Sequence, residues 1–495
     1  MIADLLPMQY HGMSKCLTDA KVDKAILIYG AGEAATLFFE NSSLKIKNSI
    51  VGFIDDDETV CGGQLFGLQI FSFEEIFTVE AYRDMGVDTV ILALPSQNLI
   101  DKIDTISQIP SSLHLYSMSS IKNLAGRKSE FEDLIYIDNQ FQKSEFKSEN
   151  TLKYSSVFFK NKTILVTGAG GSIGAEVCEQ LMSKSIRKLI ALDISEFNLF
   201  HLDRSLKEHV NFNDQIHMLL GSVTDKIAVE ELFSNNKIDC VIHCAAYKHV
   251  HILEDNPSSA LTNNVLGTYL IASAAARHTA EKFILISTDK AVNPASIMGA
   301  SKRLCEKLVY EFNKQNNVCK FALVRFGNVL GSSGSVIPIF EKQAESGNPV
   351  TVTHPDVTRF FMSIREAVTL ILSAQEIAEG GEAFVLNMGK PKKIVDLAEL
   401  IIKLSGKKPV YGKAPKHLSE IEIKFIGLQP GEKLNEELSK SGNFDETKIP
   451  GVMVDIQSPE NNQKFLEEIH IYSDTKNKNW SINAEAKIFI ERWKN

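Results

Sequence analysis

No stretch of this 495-residue sequence approaches the ~20 consecutive apolar residues that a membrane-crossing helix needs. The opening MIADLLPMQYHGMSK has neither a basic leader nor an apolar core, so it does not read as a signal peptide, and it carries no strand or helix pattern. Residues 1–20 are read as a flexible lead. Basic runs are absent too, and the net charge is −9, which argues against sequence-independent binding to nucleic acid phosphates. The seven cysteines, at 16, 61, 178, 240, 244, 305 and 319, form no CxxC pair; an odd, scattered set fits reduced thiols in the cytoplasm. The stretch HCAAYKHVH gathers His243, Cys244, His249 and His251, but its spacing fits no common zinc pattern, and no metal is expected.

What is present is ordinary globular composition, 44% hydrophobic and 23% charged. At roughly 150 residues per domain, this length allows two to four domains, each able to bury a core. From Lys24 the chain reads KAILIYGAGEAATLFFE: a short apolar run, a turn with Gly30, Gly32 and Ala35, then a helical pattern. A second apolar run, Ile50 to Ile54, ends in three aspartates, and Asp55 lies twenty residues past Ala35, a suitable distance for a carboxylate that grips a ribose. Residues 21–120 read as a small Rossmann-like domain. Its glycines either seat a nucleotide or serve packing alone, and the pattern does not separate the two. Residues 121–160, polar and without periodicity, read as a linker.

The second unit carries a fuller signature. An apolar strand, Thr163 to Thr167, runs into Gly168, Gly170, Gly171 and Gly174, spaced TGxxGxxG, and a helix follows. The next strand ends in Asp193, nineteen residues past Gly174. Glycines let the chain turn tightly and let a helix N-terminus face a pyrophosphate, while the acid accepts hydrogen bonds from ribose hydroxyls and repels a 2′-phosphate. NAD is expected, with NADP disfavoured. Arg187 and Lys188 sit before that strand and are expected to point away. Further apolar runs at 216–220, 239–243, 283–287 and 321–326, with helical stretches between, predict a doubly wound parallel α/β sheet with right-handed crossovers. This dehydrogenase-type domain is placed at 161–445. Its substrate lid starts at about 331, with a short strand at 350–353 and helices near 365–378 and 394–404, and residues 446–495 form a C-terminal extension.

Residues 287–302 read STDKAVNPASIMGASK and resemble the catalytic segment of the short-chain dehydrogenases, which place a Ser or Thr at a strand end and a Tyr and a Lys four apart on the next helix. Ser287, Thr288 and Lys302 are present, but Met298 stands where the phenol belongs. Together with TGAGGSIG, HCAAYKHV, EDNP, NNVLGT, RFGNVLGSSGSVIP, THPDVTRFFM and GLQPGEKLNEEL, residues 160–440 resemble the nucleoside-diphosphate-sugar 4,6-dehydratases of bacterial polysaccharide biosynthesis, an extended branch of that superfamily. The preceding unit resembles the second region of the long members. Long members begin with several transmembrane helices, which this sequence lacks, so membrane association is expected only if an anchor precedes it. The family has Arg where Gln429 stands. Met at 298 is typical of the long, C5-retaining branch, whereas shorter, C5-inverting relatives keep Tyr.

The resemblance implies NAD as cofactor, UDP-N-acetylglucosamine as substrate and a homo-oligomer on the cytoplasmic side. It assigns Thr288 to the 4-hydroxyl, Asp289 to protonation of the 6-hydroxyl, Lys290 to the C5 proton and Lys302 to the nicotinamide ribose. The cofactor would lie along Thr167, Gly168, Gly170, Gly171, Ser172, Ile173, Gly174, Asp193, Ser222, Val223, Ala245 and Ala246. Substrate contacts are expected from Lys248, His249, Asn328, Arg359 and Lys433. The chemistry requires an acid and a base beside C5 and C6, and Lys290 must be neutral to act as base; a desolvated site beside the positive nicotinamide is expected to lower its pKa. A thioether transfers no proton, and losing acid–base help costs roughly 10²- to 10⁴-fold, about 3–5 kcal/mol. Asp289 is therefore expected to take the 4-hydroxyl proton as well. An epimerase of the same fold and a non-catalytic nucleotide-binding regulator are the rival readings.

Overall fold

A computed structural model describes residues 25–93, 109–110, 112–117, 135–137, 158–207, 215–330, 332, 334–456, 462–475 and 483–494. The lead at 1–20 and most of the linker at 121–160 lie outside these residues. The chain forms two compact units. One comprises Met1–Phe146, Val336–Val352 and Val395–Phe425, and the other Lys147–Ser335, Thr353–Ile394 and Ile426–Asn495. The region read as a lid from about 331 is thus divided between them. Among the described residues no helix is long and apolar enough to cross a membrane.

The first unit is built on a seven-stranded sheet in the order Gln64–Leu65, Leu68–Ser72, Ile50–Asp55, Ala25–Tyr29, Val87–Leu92, His114–Ser117, Ile135–Ile137. Its five inner strands are parallel, and the two outermost pairings are antiparallel. The three central strands, Ile50–Asp55, Ala25–Tyr29 and Val87–Leu92, bury nearly every side chain, as parallel strands covered on both faces must. Leu400, from the helix Ile394–Leu404, packs into its core, and Ser117 Oγ donates to the Lys403 carbonyl at 2.6 Å. This explains why the later segments belong here: their apolar stripe needs a partner, and this core provides one.

The second unit holds a nine-stranded sheet in the order Ile216–Leu220, Lys188–Asp193, Thr163–Thr167, Cys240–His243, Lys282–Ile286, Lys320–Arg325, Ala383–Leu386, Val452–Asp455, Phe444–Glu446. The first seven strands run parallel and the last two antiparallel. This is the doubly wound α/β sheet expected from the strand–helix alternation. The strands fall within one or two residues of the predicted runs. The long helix Ile297–Gln315 is buried along most of its length, and Ser296 caps it by accepting from the Gly299 amide at 3.0 Å. The segment set apart from residue 446 contributes strand Val452–Asp455 and the helices Gln463–Thr475 and Asn483–Trp493. Phe465, Leu466, Ile469, Ala486 and Ile490 of these helices enter the same apolar cluster as Leu308 and Phe312. Each fully buried Phe, Leu or Ile side chain contributes roughly 1.5–3 kcal/mol against exposure.

A buried ionic cluster fastens this unit. Glu306 receives two bonds from Arg325, at 2.6 and 2.8 Å, one from Arg303 at 3.1 Å and one from the Ser287 hydroxyl at 2.7 Å. Arg325 also donates to Asp455 at 2.6 Å, which in turn accepts from Ser439. Burial alone would raise the Glu306 carboxyl above its ordinary 4.5, but Arg325 and Arg303 outweigh it and hold it at about 2. A carboxyl depressed in the folded state contributes stability that is present above pH 4.5 and lost as the pH falls through 2. Arg325→Met removes the cation shared by two buried carboxylates, leaving Glu306 with Arg303 as its cation, and should cost about 3–5 kcal/mol in urea unfolding. The wild-type urea midpoint should also fall between pH 5 and pH 3; a midpoint flat across that window would remove the assigned role of Glu306.

Candidate active site

The glycine turn follows strand Thr163–Thr167 at the carboxyl edge of the sheet, where open α/β sheets bind their ligands. Gly168 has φ +64°, and a Cβ there would lie 2.7 Å from the Ala245 backbone, so only glycine permits this close strand crossing. A Cβ on Gly170 would strike Asn198, and one on Gly174 the Gly168 carbonyl. Gly171 begins the helix Ser172–Met182 with no side-chain cap, so Ser172 and Ile173 present first-turn amides at the edge. Asp193 is buried at the end of its strand. Its carboxylate accepts from the Gly170 amide at 2.9 Å and the Ser195 amide at 2.8 Å. Arg187 sits at the other end of the strands, bound to Asp239 at 2.8 Å. The first unit repeats the bridge: Asp55 accepts from the Ala31 amide at 2.7 Å and the Asp57 amide at 3.0 Å.

The inner wall is fixed by His243, which is fully buried. Thr268 donates to the Asn264 carbonyl at 2.6 Å, so its oxygen accepts from Nε2 of His243, leaving Nδ1 to accept from Thr167 at 2.7 Å. Burial, then the nearby Lys302, pushes the imidazole down to about 3, so it stays neutral. His243 pins two strand ends rather than presenting a ligand face. Val223 packs beside Gly267, and Ser222 shares a hydrogen bond with Thr224 at 2.8 Å. Ala245 and Ala246 leave strand Cys240–His243 alongside the glycine turn. Lys302 is buried and donates to the Ile286 carbonyl at 2.7 Å, with its pKa lowered by burial. Met298 lies one helical turn earlier, buried in the apolar core.

Strand Lys282–Ile286 delivers Ser287 and Thr288 to this edge, and a single tight turn, Asp289–Ala291, follows. The helix of Met298 lies against that turn because Gly299 has no Cβ; one would sit 2.2 Å from the Lys290 carbonyl. Ser287 points away to Glu306, leaving Thr288 as the hydroxyl of the site. Asp289 is fully buried. Its Oδ1 accepts from Thr288 at 2.9 Å and from Lys290 Nζ at 3.0 Å, while Oδ2 has no partner among the described residues. Lys290 also donates to Asn328 Oδ1 at 3.2 Å and lies 3.5 Å from Glu436 Oε1.

The expected depression of the Lys290 pKa is not what the structure shows. Burial does press it down, but the carboxylates of Asp289 and Glu436 outweigh this and raise it above the ordinary value, so the resting amine is an ammonium. The sequence offered only the adjacent Asp289; the second carboxylate arrives from a segment some 150 residues on.

Arg359 is buried rather than solvated. It donates to Glu432 at 3.0 Å and to the Thr358 and Leu434 carbonyls, and its Nε lies 3.7 Å from Glu436. Arg359 and Asn328, expected at a diphosphate, thus cluster with the Asp289–Lys290 pair. Lys433 donates to the Val292 carbonyl at 2.7 Å, just past the same turn. Gln429 is exposed, and its amide side chain donates to the Gly427 carbonyl at 3.2 Å. Lys248 is exposed, and His249 begins the helix Val250–Asp255; neither bonds to the cluster. Sequence reasoning missed Glu432 and Glu436, whose only signal was the acidic spacing within GEKLNEEL.

The sequence profile of the family described as "Polysaccharide biosynthesis protein" matches residues 164–457, more than half of the chain. The chain belongs to this family. Within it, the chain is an extended short-chain dehydrogenase/reductase of the nucleoside-diphosphate-sugar dehydratase and epimerase group. It is 38% identical over 434 residues to the capsular polysaccharide biosynthesis protein CapD of Staphylococcus aureus, covering 85% of this chain and 69% of that protein. It is 35% identical over 288 residues to a UDP-glucose 4-epimerase of Rickettsia canadensis, covering 57% of this chain and 79% of that one. Among solved structures, the X-ray structure of Pen from Bacillus thuringiensis matches with a TM-score of 0.54 and 33% identity, covering 61% of this chain and 91% of that one. Gly168→Ala should cost more than about 1 kcal/mol, read as a lowered urea midpoint; an unchanged midpoint would mean the Gly168–Ala245 contact does not constrain the fold.

Proposed function

We propose that the chain is an NAD-dependent sugar-nucleotide 4,6-dehydratase acting on UDP-N-acetylglucosamine with retention at C5. The observation that carries this is the carboxyl–amine pair of Asp289 and Lys290 beside Thr288, with one Asp289 oxygen buried and unpartnered. A 4-epimerase moves protons only at the 4-hydroxyl. A dehydratase must also remove a C5 proton and protonate a departing 6-hydroxyl, and this site holds the extra groups.

The glycine cradle and the Asp193 carboxylate fit a dinucleotide, and the carboxylate favours NAD over its 2′-phosphorylated form. When bound, NAD supplies reversible two-electron acceptance and so ends the cycle unchanged. Thr288 orients the 4-hydroxyl. Asp289 takes its proton on Oδ2 in place of the missing phenol, then releases it to the 6-hydroxyl as water departs. Lys290 takes the C5 proton on Nζ and later returns it to the same face, which sets retention. Lys302 holds the nicotinamide ribose, and resemblance to the family supports Lys433, Lys248 and His249 as substrate contacts. Resemblance to the family supports the substrate, a homo-oligomer and the biosynthetic role.

Incubation with UDP-N-acetylglucosamine in heavy water should give a 4-keto-6-deoxy product with deuterium at C5, read by NMR. A product epimerised at C4 with hydrogen retained at C5 would establish the epimerase instead. Asp289→Asn should slow NADH formation in a single turnover by about 10²- to 10⁴-fold; if that step stays fast, another base takes the 4-hydroxyl proton.

A further inference from the structure

Glu436 is the second carboxylate at Lys290, and nothing in the reaction so far uses it. Its side chain is 3% exposed. Oε1 lies 3.5 Å from Lys290 Nζ and 3.7 Å from Arg359 Nε, and Oε2 is buried without a hydrogen-bond partner among the described residues. Arg359 is already held by Glu432 at 3.0 Å and by two carbonyls, so it does not require Glu436 for neutralisation. Among the described residues, the charged and polar groups facing Lys290 are Asp289, Glu436, Asn328 and Arg359; those facing Glu436 are Lys290 and Arg359.

The dehydratase cycle leaves one proton unplaced. Lys290 rests as an ammonium and must lose a proton before it can take one from C5. Asp289 cannot accept it, having taken the 4-hydroxyl proton. Glu436 is the remaining carboxylate beside Nζ among the described residues, with Oε1 3.5 Å from the amine and Oε2 buried without a hydrogen-bond partner.

We propose that Glu436 receives the resting proton of Lys290 and returns it each cycle, making it a positioning residue that switches the amine between ammonium and base. An N–H bond on Lys290 breaks and an O–H bond forms on Glu436. The C5–H bond then breaks, its proton going to Nζ and its electron pair forming the C5–C6 double bond, as the C6–O bond breaks and oxygen leaves as water with the Asp289 proton. After reduction at C6, an Nζ proton returns to C5 and the Glu436 proton returns to Nζ. No electrons pass through Glu436, and the amine, equilibrated with heavy water beforehand, still delivers deuterium. The inference rests on the dehydratase reading.

Wild type, Glu436→Gln and Glu436→Asp are compared in two measurements. In the first, C5 deuterium incorporation is followed from about pH 6 to pH 10. Wild type should be flat through neutrality. Glu436→Gln should fall by about 10²-fold at pH 7 and recover tenfold per pH unit as Lys290 loses its proton to solvent instead, while single-turnover NADH formation is retained. Glu436→Asp should restore the flat profile in part. In the second, reductive methylation of Lys290 in the substrate-free protein is quantified by mass spectrometry against pH, and its midpoint should move lower in Glu436→Gln. A loss equal at every pH, no loss, or an unmoved methylation midpoint overturns the proposal. A wild type that makes no C5-labelled product overturns the dehydratase reading itself, and with it the task assigned to Glu436; a labelled wild type with a pH-flat Glu436→Gln overturns the present proposal alone.

Discussion

The bidentate pairing of Arg325 with Glu306 is the constraint on which the site depends. It joins a central strand, the long helix and, through Asp455, the first antiparallel strand of the sheet. Taking these charges out of water is costly, and the mutual attraction offsets that only because the bonds are short and most of the oxygens are occupied. Ser287 lends its hydroxyl to the same carboxylate, and so the next residue, Thr288, faces the carboxyl edge. The segment Thr288–Lys290 is therefore aimed from behind. Its strand end is clamped to a charged anchor, and its turn is pressed by the helix that carries Lys302.

The absent phenol also becomes intelligible in these terms. Met298 is a core residue at the head of a buried helix, adding apolar surface where a hydroxyl would need a partner. Beside Thr288, two carboxylates, an amine and a guanidinium share one pocket of charge. The carboxylates of Asp289 and Glu436 outweigh burial at Lys290 and hold its amine protonated.

Much of this was legible in the sequence because it is local. Gly168, Gly170 and Gly174, the strand-end Asp193 and the run Thr288–Asp289–Lys290 are each fixed by a strand and the turn after it, and alternating apolar runs gave the parallel sheet. The remainder depends on distant partners. Glu436 comes from an irregular segment without periodicity, so nothing marked it as a neighbour of Lys290, and the direction of that lysine's shift was misjudged for the same reason. The divided lid region and the strand at Val452–Asp455 escaped likewise: a short apolar run does not reveal which of two cores will take it.

The distance along the chain between Arg325 and Asp455 carries a consequence for biogenesis. The two are 130 residues apart. At roughly 5–20 residues per second, a ribosome needs on the order of ten seconds to make the intervening stretch. Throughout that interval the guanidinium has only one of its two carboxylates, and the sheet lacks its closing strands. A nascent chain can thus form its glycine cradle early, yet it matures into a rigid site only after translation has passed Asp455.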